Sequence, residues 1–81
     1  MARHSDAIRE HPKITVDPAV MGGKPCIAGT RITVETIIRR FAERYTIDEV
    51  LADYPTIGEA DVLAALEFAA DVTGTLPEKV G

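Results

Sequence analysis

The 81-residue chain has no tryptophan, one cysteine and only two histidines. A lone Cys26 excludes an internal disulfide and any cysteine-built zinc site. His4 and His11 both lie in the first dozen residues, so no helical His pair stands ready for a metal, and neither a metal nor another cofactor is expected. Long apolar runs are missing as well. The longest, Val62 to Leu66, is five residues, where a spanning helix needs roughly twenty. No membrane association is expected, and the cytoplasm is the expected location. Basic residues are scarce in the second half: residues 45–81 carry one basic and eight acidic groups, against eight basic and five acidic in residues 1–44. The net charge of −4 therefore conceals halves of +3 and −7. A phosphate backbone would repel the second half and tolerate the first.

What remains is 46% hydrophobic and 27% charged, the composition of one small globular domain. Residues 1–11 lack apolar periodicity and read as a flexible N-terminal segment. A single domain is expected over 12–73, with a C-terminal tail over 74–81. Ile14-Thr15-Val16, bounded by Pro12 and Asp17-Pro18, reads as a short strand. Met21 to Pro25 is a loop, and Cys26-Ile27 a second short strand. Ala28-Gly29-Thr30-Arg31 reads as a tight turn with Gly29 at a position needing unusual φ. In that turn Thr30 and Arg31 are expected to bond back to loop carbonyls, a structural rather than a binding role.

Helical periodicity occupies the rest. Val34, Ile37, Ile38, Phe41, Ala42 and Tyr45 form one continuous stripe, which predicts a helix from Val34 to Tyr45 with Thr33 as N-cap and Glu35–Arg39 as an i,i+4 pair. Thr46-Ile47-Asp48-Glu49 is a capping-box pattern opening a second helix that stops before Pro55. A third helix is expected from about Glu59 to Val72, capped by Gly58 and stopped near Gly74. Its core stripe is Val62, Leu66 and Ala69. The flanking Leu63, Ala65, Phe68, Ala70 and Val72 make its apolar arc wide for an isolated domain, which predicts a second buried side, against another copy of the chain, a homodimer, or a different protein.

The run Gly23-Lys24-Pro25-Cys26-Ile27-Ala28-Gly29-Thr30-Arg31-Ile32 leading into a helix resembles the hallmark of a bacterial family, domain of unknown function 433. Asp17-Pro18 upstream and Tyr54-Pro55, Val62, Ala65, Leu66 and Ala69 downstream extend the likeness over about residues 13–72. The resemblance implies a mainly α fold: a short N-terminal β-hairpin followed by a trihelical, helix-turn-helix-like unit of the homeodomain or winged-helix kind. It also implies that 12–73 is antitoxin-like, as in VapBC-type toxin–antitoxin pairs whose toxin is a PIN-like ribonuclease. The chain departs from the family at Gly58, where Ser or Thr is usual.

No catalytic machinery is expected. Cys26 beside Ile27 reads as a small buried hydrophobe, and no histidine is expected near it. The pairs Glu49/Asp53 and Glu67/Asp71 read as solvated acidic faces. The Gly-Lys-Pro loop lacks phosphate-loop spacing, and Pro25 removes an amide such a loop uses. Two binding functions remain. An antitoxin would meet its ribonuclease through the acidic, apolar last helix, with Leu63, Phe68, Glu67 and Asp71 as candidate contacts. A homodimeric regulator would grip operator DNA through Lys24, Arg31, Arg39, Arg40 and Arg44, of which Arg40 and Arg44 should share a helix face. The run itself, Gly23, Lys24, Pro25, Gly29, Thr30 and Arg31, is expected to be architectural.

Overall fold

β-branched Ile14 and Thr15 form strand β1 (Ile14–Thr15), paired antiparallel with β2 (Cys26–Ile27) in the register Ile14 to Ile27 and Thr15 to Cys26. The computed structural model describes residues 11–74. Three helices follow: α1 (Val34–Ala42), α2 (Ile47–Asp53) and α3 (Glu59–Gly74). The fold is the expected one, mainly helical with a short N-terminal hairpin. Of the segment expected to be flexible, residues 1–10 lie outside the described residues, as do 75–81 of the expected tail.

Between the strands, Met21–Gly23 makes a single tight turn in which Met21, Gly22 and Gly23 all have positive φ. Past β2 the chain doubles back on itself. The Ile27 amide donates to Ile32 O at 2.9 Å, and the Val34 amide donates to Pro25 O at 2.9 Å. The second bond occupies one of the amides that the first turn of a helix leaves unpaired. Thr33 Oγ1 accepts the Thr36 amide as N-cap, so α1 starts where its cap predicts.

α1 ends earlier than the stripe predicts, at Ala42 rather than Tyr45. Arg44 adopts φ +74; its amide donates to Phe41 O, and the Tyr45 amide donates to Arg40 O. This is the paired-bond helix terminator with its left-handed residue at Arg44. The periodicity was misleading for a physical reason. Tyr45 lies outside the helix yet still packs against the core, with the Arg40 guanidinium 5.1 Å from its ring centre. Arg40 and Arg44 consequently do not share a helix face.

The capping box at Thr46 and Glu49 is present in both halves, and α2 stops before Pro55. At Gly58 the missing side chain is partly replaced: Asp61 Oδ2 reaches back to accept the Gly58 amide at 2.9 Å, the reciprocal half of a capping box. The core lies where the three helices and β2 meet, with Ile27, Ile37, Val50, Val62 and Ala65 almost completely buried. On α3 the deepest positions are Val62 and Ala65; Leu66 and Ala69, expected at the centre, are only partly buried.

Candidate functional site

The glycine-rich run is tied down by its own hydrogen bonds. Gly29 holds φ +80, and Thr30 pins the turn it opens: Thr30 Oγ1 donates to Ile27 O at 2.8 Å and accepts the Ile32 amide at 2.9 Å. Arg31 does not do likewise. It is exposed and makes no hydrogen bond or ion pair among the described residues. The turn's own atoms have already taken the local carbonyls, since Ile27 O accepts from the Thr30 amide as well as its hydroxyl.

Lys24 projects from the run onto α1 and donates to Glu35 Oε1 at 3.1 Å, while Arg39 grips Glu35 Oε2 at 2.9 Å from one turn further on. These two cations, Lys24 first, hold the Glu35 carboxyl below the usual carboxylate value. Beside this pair opens an apolar groove of about 280 Å³, with Pro25 and Val34 on one side and Phe68, Ala69, Val72 and Thr73 of α3 on the other. Lys24 and Glu35 form its charged lip.

Phe68 is held from behind. The His11 ring meets it edge-on, with centroids 5.3 Å apart at 81°, an arrangement aromatic pairs favour. His11 Nε2 in turn lies 2.9 Å from Asp71 Oδ2. This clip joins residues sixty positions apart, and no local spacing could announce it; His11 reads in the sequence as part of the flexible segment. The four candidate partner contacts are divided: Phe68 lines the groove and Asp71 is engaged by His11, whereas Leu63 and Glu67 border a separate depression.

The candidate DNA contacts are also dispersed. Lys24 and Arg39 converge on one carboxylate. Arg40 is inserted between Tyr45 and Tyr54 and donates to Tyr54 Oη at 3.2 Å, with Glu43 and Asp53 nearby. The Tyr54 hydroxyl bond raises the Arg40 pKa further above its ordinary value. Arg31 and Arg44 remain without an ion pair among the described residues. Cys26 is buried with only 1% of its surface exposed, and its thiol points to Lys24 O at 3.4 Å. Among the described residues, no group of three His, Cys, Asp or Glu could hold a metal ion, and no helix is long and apolar enough to cross a membrane.

The family model described as "Protein of unknown function (DUF433)" matches residues 14–69. The structure is similar to the crystal structure of a DUF433 member protein from Anabaena variabilis ATCC 29413, with a TM-score of 0.73 and 30% sequence identity. That likeness covers 78% of this chain and 62% of the other, so this chain spans less than two thirds of the length of the protein it resembles. No curated protein matches the sequence.

Proposed function

The chain belongs to the DUF433 family, and from that premise we propose that it is the antitoxin of a VapBC-type pair, a non-enzymatic domain that binds and neutralises a PIN-like ribonuclease. The observation that carries the reading is the Phe68 groove: an open, apolar recess with a rigid aromatic floor and a charged lip. Such recesses accept an apolar anchor from a partner, and buried anchors of this kind supply most of the energy of protein interfaces. The acidic second half complements the basic surface a ribonuclease presents to RNA, which favours rapid association at low salt.

Operator binding has less to rest on. Three of its five candidate cations are committed to Glu35, or to Tyr45 and Tyr54, and α3 carries no Lys or Arg.

Affinity purification from the native host, with bound proteins identified by mass spectrometry, tests the class of function. A PIN-like ribonuclease recovered in equal amount supports it, and recovery of the chain alone argues against it. The groove is then tested by Thr73→Arg at its exposed rim and Phe68→Glu at its floor. Both should abolish capture and inhibition of the ribonuclease, with the Thr73 variant retaining wild-type circular dichroism. Undiminished inhibition by a folded Thr73→Arg would remove the groove from the model.

A further inference from the structure

We propose that the face of α3 opposite the core is a self-association surface, on which two copies of this chain pack antiparallel about Leu63, with Glu67 of each copy paired to Lys13 of the other. At about 100° per residue, Ala60, Leu63, Ala64 and Glu67 fall on one side of α3. Val62, Ala65 and Ala69 fall on the other, facing the core. Leu63 is 44% exposed, the only large apolar side chain so exposed on an α-helix among the described residues. Ala60 and Ala64 flank it, and small side chains there let a second helix approach closely.

A wall runs alongside. His11, Pro12 and Lys13 border a depression of about 300 Å³ whose other side is Ala60, Leu63, Ala64 and Glu67. The wall meets α3 at both ends, through His11 to Asp71 at 2.9 Å and Lys13 Nζ to Asp61 Oδ1 at 3.7 Å. Protruding leucine and receiving recess therefore share one face, which is what a closed two-fold interface requires.

One charge pair per copy sets the register. Glu67 is exposed and has no ion-pair partner among the described residues, while the Lys13 side chain is 52% exposed and only loosely bridged to Asp61. When two α3 helices cross antiparallel with Leu63 opposite Ala64, Glu67 stands over Ala60 of the second copy. That is the end of the helix where Lys13 sits beside Asp61. One rotation thus forms two identical Glu67–Lys13 pairs. The surface lies on a different side of α3 from the Phe68 groove, so the inference stands whatever that groove holds.

Sedimentation equilibrium of the 81-residue chain over a dilution series tests it. The expected mass is that of a dimer. Leu63→Arg, an exposed position, should give a folded monomer. Glu67→Lys and Lys13→Glu should each weaken association by about tenfold or more, because each brings like charges together, and the double variant should recover most of the loss. A wild-type chain monomeric at every concentration, or a dimer indifferent to Leu63→Arg, would overturn the proposal. So would charge variants whose effects simply add.

Discussion

Thr30 and Arg31 are neighbours in the same motif with opposite roles, and mutation should separate them. Thr30→Val leaves the Ile32 amide without its acceptor and removes a donor to Ile27 O. An expected loss of about 1–3 kcal/mol would appear as a lower denaturant midpoint. Arg31→Ala touches no partner among the described residues and should shift stability by less than about 0.5 kcal/mol. Glu35 offers a pH readout at the same scale. Lys24 and Arg39 depress its pKa, so the contribution of the clip is present above the ordinary glutamate value and is lost as pH falls through the depressed one. Carboxyl NMR should place its midpoint below the ordinary glutamate value, and Lys24→Ala should move it back upward. A Glu35 that titrates at the ordinary glutamate value would show that the clip does not persist in solution. The sequence reveals the Glu35–Arg39 pair through its i,i+4 spacing. It does not reveal Lys24, which reaches Glu35 only because the chain doubles back between Pro25 and Val34.

Among elements, the helix starts were legible and one helix end was not. Thr33 and the Thr46–Glu49 box act through residues three positions apart, a spacing any reader of the chain can see. The end of α1 depends on Arg44 accepting a left-handed backbone that its composition does not advertise, since glycine is the residue usual there. Arg44→Gly should therefore raise stability by about 1 kcal/mol, measured by thermal or denaturant unfolding. A fall instead would mean that the Arg44 side chain makes a stabilising contact in solution. The early end of α1 also brings Tyr45 over Arg40, so that this arginine ties α1 to α2 through Tyr54. Its geometry belongs to a planar guanidinium between two rings, which lysine does not reproduce.

At the scale of the molecule, the helices are held by a small set of buried side chains, and each counts. Ile37 is fully buried where α1 packs on α3. Ile37→Ala should cost about 2–5 kcal/mol, comparable with the whole stability of so short a domain at about 0.05–0.15 kcal/mol per residue. Equilibrium unfolding should find the variant largely unfolded at 37 °C, and a cooperative transition near that of the wild type would show that the core sits elsewhere. The core uses only one side of α3. A helix apolar nearly all round, in a domain with a core on one side, leaves its remaining sides for other molecules. The apolar width of α3 was readable from composition; its division into a groove at Phe68 and a separate face at Leu63 was not.

The sequence by itself determined the family, the hairpin and three helices, their caps, and the surplus of apolar surface on α3. All of these follow from motif, periodicity and spacings of a few residues. Only the tertiary structure decided which side chains are spent on holding the fold and which remain to meet a partner. His11 reaches Asp71, Lys24 reaches Glu35, and Arg40 reaches Tyr54. Each of these pairs is brought together by packing rather than by helical spacing, so each commits a group that the sequence alone leaves free.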